Sequence, residues 1–155
     1  MHWMLLPLKR YFEFSGRSRR KEFWMFQLFQ ILVMLPVILI IFSAVPWGQM
    51  TADGSDPATF EGVGPLFWVG FVLAFVWGLA MFIPNLAVIV RRLHDRNLSG
   101  WWYGGLLIGS FIPIINILAG IGIIVMYVMF MLPGTPGPNK YGPDPKDPSQ
   151  ASVFE

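Results

Sequence analysis

Three long apolar blocks, separated by short polar stretches, set the pattern of this chain. The first, FWMFQLFQILVMLPVILIIF at Phe23–Phe42, runs 20 residues with only Gln27 and Gln30 breaking its apolar surface. At about 1.5 Å per residue such a helix is about 30 Å long, the thickness of a bilayer's hydrocarbon core. A buried helix of a soluble protein this long keeps a polar face, and this one has none. The second block, Pro65–Val90, is long enough to span with tilt. The third, Trp101–Leu132, has 32 residues and no charge. As one helix it would measure about 48 Å, beyond the core thickness. Either it is a single kinked helix that emerges on the far side, or it turns near Pro113–Asn116 and returns. The predicted fold is all-α, a small polytopic transmembrane bundle of three apolar blocks, the third kinked or folded back to give four helices.

The stretches between the blocks are polar. Ser43–Gly64 is rich in Gly, Pro, Ser, Thr and Asp and reads as a loop, with Asp53, Asp56 and Glu61 its charged residues. The tail, 133–155, has prolines at 133, 136, 138, 143, 145 and 148, which forbid regular helix or sheet. It is expected to be extended, water-exposed and partly disordered, so the chain divides into a membrane domain (1–132) and a tail. HWMLLPLKRYFEF at the N-terminus mixes apolar and basic residues and reads as a short interfacial segment interrupted by Pro7. It has neither a basic leader ahead of its apolar stretch nor a small-residue cleavage site, so no signal peptide is expected.

Composition sharpens this picture. Hydrophobic residues make up 55% and charged residues 13%, against roughly 25% charged in a soluble domain. Cysteine is absent and the histidines are His2 and His94. Thiol chemistry is excluded, and neither a metal site nor a cofactor is expected. A net charge of +2 gives no reason to expect a nucleic-acid partner.

Charge placement carries more than charge sum. Lys9, Arg10, Arg17, Arg19, Arg20 and Lys21 precede the first block, Arg91, Arg92 and Arg96 follow the second, and Lys140 and Lys146 lie in the tail. The loop between the first two blocks has none. The positive-inside rule then places the N-terminus and the turn RRLHDRNLSG in the cytoplasm and the acidic loop outside. The tail is undecided: cytoplasmic if the third block folds back, external if it crosses once.

Candidate chemistry gathers in two basic stretches, FSGRSRRKEFW (Phe14–Trp24) and Arg91–Gly100. Arg17, Arg19, Arg20, Arg91, Arg92, His94, Asp95 and Arg96 are the candidates for holding membrane lipid, preferably anionic, or a partner protein. Cations beside a membrane helix attract acidic headgroups, and guanidinium forks suit phosphate. The plainer reading is a membrane stop followed by a turn with an ion pair, since Arg91 and Asp95 are spaced i,i+4. His94 is pulled two ways, held neutral by nearby arginines and favoured as a cation by Asp95. Ser15 or Ser18 is placed to cap the first membrane helix, and Ser99 the helix after the turn. A catalytic His94–Asp95 pair is poorly supported. Adjacent helical side chains do not face each other, and no nucleophile is tied to them by pattern.

Within the blocks there is no Asp, Glu, Lys, Arg or His, which speaks against proton relays. Gln27, Gln30, Asn85 and Asn116 are explained by hydrogen bonds between helices. Gly70, Ala74 and Gly78, and separately Gly105 and Gly109, form small-residue faces where another helix or a second copy of the chain could approach. Pro84 frees backbone groups near Asn85. These features fit a non-enzymatic accessory or scaffold protein. The alternatives are an oligomeric transporter or channel subunit and, least supported, a lipid-headgroup enzyme.

Taken in order, FSGRSRRKEFW, RRLHD, SGWW and PGTPGPNKYGPDP resemble the bacterial inner-membrane family known as domain of unknown function 805, the YhaH-like proteins. The resemblance covers about residues 3–148. It implies a small helical inner-membrane protein and no known reaction. Its signature maps here to Gly16, Arg17, Arg19, Arg20, Arg91, Arg92, His94, Asp95, Ser99, Gly100, Trp101, Asn139, Tyr141, Gly142, Asp144 and Pro145, as a pattern and not as catalytic residues. The chain departs from the family at Asn116, where glycine is usual, and in a third block about ten residues longer than expected. The extra length favours a fold-back. In that case GRSRR, RRLHD and NKYGPDP would form one polar cluster on the cytoplasmic face, with Asp144 paired to an arginine and Tyr141 at the interface.

Overall fold

The computed structural model describes residues 2–47 and 63–147. These form five helices: α1 (His2–Lys9), α2 (Arg20–Ser43), α3 (Pro65–Asp95), α4 (Trp101–Gly109) and α5 (Ile115–Met131). Most of the acidic loop and the last residues of the tail, 148–155, lie outside the described residues.

α2 and α3, of 24 and 31 residues, are long and apolar enough to cross a bilayer. Only 6% of the apolar window of each is buried within the chain, which distinguishes them from the core helices of a soluble protein. The third block is two helices. α4 has 9 residues and α5 has 17, about 14 and 26 Å at 1.5 Å per residue. They pack on each other: a Cβ at Gly122 would lie 2.6 Å from Leu106, and one at Gly109 would lie 3.3 Å from Ile115. The fold-back, which length alone left open, is therefore the observed course. Its cause is local. Pro113 cannot continue a helical hydrogen-bond ladder, and Ile114 takes a left-handed φ of 74° that reverses the chain. Ser110 Oγ donates to the Leu107 carbonyl at 2.6 Å, so a carbonyl freed at the end of α4 is still paired.

The chain divides into two compact units, 29–82 and 2–28 with 83–155. In the first, Gly70 lets two helices approach closely, because a Cβ there would lie 2.6 Å from Ile41. Phe29 and Trp77 meet at 5.9 Å between ring centroids. Most of the remaining surface is apolar and exposed, with Ile31 at 61% and Leu79 at 61%.

The second unit has a core of Phe23, Phe26, Ile89, Leu93 and Phe130, all fully buried. Phe23 sits edge-on to Phe130 at 4.9 Å and to Tyr127 at 5.8 Å. Gln27 donates to the Asn85 side chain at 3.0 Å, the interhelical bond expected of these amides. Asn116 is exposed. α3 ends in a Schellman arrangement: Leu98 N–H bonds the Leu93 carbonyl, Asn97 N–H bonds that of His94, and Asn97 has φ 60°. That sharp stop turns the chain directly into α4.

The small-residue faces are used at one member each. Gly70 and Gly109 make close contacts, whereas a Cβ at Gly78 or Gly105 would meet nothing within 4 Å. Ala74 lies between, partly exposed.

Candidate functional site

The start of α2, the end of α3, the end of α5 and the first part of the tail meet in the second unit, and arginines join them. α5 has no basic residue in its last turn, so nothing in its own sequence complements its C-terminal carbonyls. Cations from elsewhere do so. Arg92 donates to the carbonyls of Phe130 and Leu132, Arg20 to that of Met131 at 3.1 Å, and Arg96 to that of Pro133 at 2.5 Å. Because these donors belong to the start of α2 and the end of α3, they fix which end of α5 lies beside them.

Two carboxylates complete the junction. Asp95 receives Arg17 on one oxygen at 3.0 Å and Arg92 on the other. Arg17 then reaches on to the carbonyls of Gly137 and Thr135, both at 2.6 Å. Glu22 accepts from Arg91 at 3.0 Å, and Arg91 also donates to the Glu13 carbonyl at 2.9 Å. Arg17, Arg91, Arg92, Glu22 and Asp95 are all buried. Buried ions need pairing and hydrogen bonds, and here backbone carbonyls add to the two carboxylates, leaving Arg91 Nε, Arg92 Nε and Glu22 Oε2 as the junction's buried atoms without a hydrogen bond among the described residues.

The first part of the tail is shaped by this junction. Thr135 N–H donates to the Asp95 carbonyl at 2.9 Å, Asn139 Nδ2 to that of His94 at 2.9 Å, and Arg19 to that of Pro145. Gly134 lies so close to Asp95 that any Cβ there would enter its carboxylate. The Tyr141 ring stacks on His94 at 3.8 Å and 6°. Residues 133–147 thus follow a defined path held by side chains of α3 and of the α1–α2 connection, without regular helix. GRSRR, RRLHD and NKYGPDP are brought together as the sequence foresaw for a returning chain.

Several finer expectations change. Arg91 does not pair with Asp95 four residues on; Glu22 takes Arg91, and Asp95 takes Arg92 and Arg17. The i,i+4 rule describes an isolated helix face, whereas here both faces of the α3 end are packed. Asp144 binds no arginine side chain directly. It accepts from the N–H groups of Gly137 at 3.0 Å and Lys146 at 2.9 Å. The Lys146 N–H, then that of Gly137 and the charge of Arg17, hold its carboxyl below the usual range. Ser99 Oγ accepts from Trp101 N–H at 3.3 Å, but the N-cap position of α4 is Gly100. Ser18 does not cap α2; it is buried and its N–H bonds the Arg91 carbonyl at 3.2 Å.

His94 lies past Val90, where the membrane-length apolar run stops. Its pKa is pushed down first by burial and further by Lys140, against the opposing Gly16 carbonyl, which its Nδ1 meets at 3.2 Å. Neither the arginines nor Asp95 decides it. No His94–Asp95 side-chain pair forms, since Asp95 faces the two arginines. Glu22 is a site residue absent from the candidates that the two basic stretches suggest. The signal was present, for it is the one carboxylate inside the first turn of α2.

Lipid-facing helices joined by a buried polar junction define a small helical membrane protein. Residues 11–143 match the family described as Protein of unknown function (DUF805), and the chain belongs to that family. It is 38% identical over 149 residues to Inner membrane protein YhaI of Escherichia coli (strain K12), covering 94% of this chain and 97% of that protein. It is 33% identical over 146 residues to Inner membrane protein YhaH of the same strain, covering 94% and 98%. Uncharacterized protein YiiR of that strain is 28% identical over 88% of each chain. No solved structure matches.

Proposed function

We propose that the chain is a multi-pass inner-membrane protein whose N-terminus, α3–α4 turn and tail face the cytoplasm. It acts without catalysis, as an accessory or scaffold that holds anionic lipid or a membrane-protein partner on a cationic face. One observation carries this reading. Every Lys and Arg falls in the unit of 2–28 and 83–155, and none in the unit of 29–82. Such one-sided placement fits retention of that unit on the cytoplasmic side.

The burial pattern divides the candidates. Arg17, Arg91 and Arg92 are buried and have no surface to offer a headgroup. Arg19 and Arg96 are half-buried and bonded to tail carbonyls. Arg20 is exposed but bonded to the Met131 carbonyl. The headgroup role therefore falls to the exposed Lys9 and Lys21, with Lys140 and Lys146 of the tail. Near a membrane surface each such cation is worth about 1 kcal/mol toward acidic lipid.

The test is extraction in native lipid with identification of co-purifying lipids and proteins. Replacing Lys9, Lys21, Lys140 and Lys146 by Gln is expected to lower the acidic-lipid content several-fold while the fold persists. Unchanged lipid content, together with no co-purifying protein, would overturn the proposal.

A further inference from the structure

A cavity of about 500 Å³ opens beside the start of α4, within the unit that contains the junction. Leu86 and Val90 of α3 and Trp101 and Gly104 of α4 form its walls, and His94 and Ser99 also line it. Leu86 to His94 is two turns of helix, about 12 Å. Along that length the lining passes from purely apolar, where α3 still belongs to the membrane-length run, to polar where the run stops. Among the described residues no acidic side chain lines the cavity. Asp95 is turned away toward Arg17 and Arg92. Next to His94 stands Tyr141, and the Lys140 ammonium lies 5.0 Å from the centre of its ring. Trp101, 82% exposed, stands at the mouth and continues the lipid-facing apolar surface.

Apolar space of this size does not hold water, which needs polar partners. Its volume suits a small ligand. The change from apolar to polar lining, with Lys140 one ring beyond His94 across Tyr141, matches an amphiphile with an acidic head. We propose that this groove holds one acyl chain of an anionic phospholipid, its phosphate at the His94–Ser99 end on the side of Lys140. The inference rests on the reading that this unit meets the membrane at headgroup level, and it adds a specific site to the general cationic face. The docked tail flanks that site, since Tyr141 stacks on the lining residue His94 and Lys140 lies over Tyr141.

The test uses the full chain in vesicles of phosphatidylethanolamine and phosphatidylglycerol, with a photoactivatable diazirine in one acyl chain of either lipid. Captured residues are mapped by mass spectrometry. Leu86, Val90 and Trp101 are expected to capture the phosphatidylglycerol chain in preference to the phosphatidylethanolamine chain. Gly104→Leu should reduce that capture several-fold, because a Cβ at Gly104 meets only the Trp101 ring at 3.5 Å and the larger side chain fills the groove. Gly104→Ala should give a smaller loss in the same direction, which keeps the test alive if the leucine variant misfolds. Lys140→Gln should reduce the preference for phosphatidylglycerol while leaving chain capture in place. Capture at Phe75 and Leu79, on lipid-facing surface of the other unit, should not change in any variant. Capture at Leu86 and Val90 that ignores Gly104→Leu and Gly104→Ala would overturn the proposal, as would equal capture of both lipids or a crosslink there to a second copy of the chain. Loss of capture at Phe75 and Leu79 in the unaltered protein would instead sink the membrane reading beneath it.

Discussion

Arg91 donates to Glu22 at 3.0 Å across a pair in which neither side chain has any exposed surface. The two lie 69 residues apart and tie the start of α2 to the end of α3. A buried pair of this kind contributes through what happens when it is broken. Glu22→Ala or Arg91→Ala strands a buried charge and is expected to cost about 3–5 kcal/mol. The double variant Glu22→Leu/Arg91→Met removes both charges and should recover much of that loss. Recovery will be incomplete, because Arg91 also serves the Glu13 carbonyl. Thermal unfolding in mild detergent checks this. Additive losses in the double variant would refute the pairing.

Asp95 holds the tail through a second relationship. Asp95→Asn keeps the shape but leaves Arg17 and Arg92 sharing no anion, and a hydrogen bond to a charged partner is worth about 1.5–3 kcal/mol. The expected result is release of residues 133–147, read as a rise in proteolysis and amide exchange there while α2 and α5 stay protected. Gly134→Ala should release the same segment by a different route, since its methyl group would enter the space of the carboxylate. A tail equally protected in both variants would show that the contacts with Asp95 do not hold it.

These two relationships show which parts of the molecule were legible in sequence. The first two apolar blocks announce themselves, because a charge-free run of 20 residues has few alternatives. The course of the third block was ambiguous because the groups that settle it lie elsewhere. Met131 is held by Arg20, 111 residues away, and Phe130 by Arg92, 38 residues away. The two basic stretches were recognisable as a pair of motifs, but their cations were read as pointing outward. Burial of Arg17, Arg91 and Arg92 depends on carbonyls at the end of α5 and in the tail, and no periodicity reports where a free carbonyl will be. Local rules failed for the same reason at Arg91, whose neighbour at i+4 lost to a distant carboxylate.

The turn between α4 and α5 makes a prediction of its own. Ile114 is β-branched, 83% exposed and held at φ 74°. A left-handed backbone costs an L-residue about 1–2 kcal/mol. Glycine escapes that strain but gives back roughly 0.5–1 kcal/mol in unfolded-chain entropy. Since so exposed a side chain gives up little packing, Ile114→Gly is expected to raise stability by up to about 1 kcal/mol. Ile114→Val, which keeps the branch, should leave the thermal midpoint where it is. A destabilised glycine variant would contradict this turn geometry.

Acid should loosen the tail through His94. Its folded-state pKa lies below the ordinary value of about 6.5 because burial, and then Lys140, disfavour the cation. The unfolded state then binds the proton more readily. The stability this group contributes is complete above the ordinary value and is lost as pH falls through the folded-state pKa. Protonation places a charge beside the Tyr141 ring and near Lys140, opposed by the Gly16 carbonyl. Amide exchange in 133–147, taken relative to the intrinsic rate at each pH, is expected to rise between about pH 7 and pH 5. His94→Phe, which keeps a stacking ring and removes the titration, should flatten that rise. An unchanged profile in the variant would assign the effect to another group.

The junction also predicts sidedness. Arg20, Arg92 and Arg96 hold the end of α5, so the third apolar block begins and ends beside the same helix termini. With α4 only about 14 Å long, it enters and returns without making two full spans. The chain has no cysteine, so single replacements give labelling without background. Lys9→Cys and Lys140→Cys are expected to react with an impermeant maleimide from the same face of the membrane, and Ser55→Cys in the acidic loop from the opposite face. Labelling of Lys140→Cys from the face of Ser55→Cys would mean that the third block crosses once, and the arginine contacts with its C-terminal carbonyls could not then exist in the membrane.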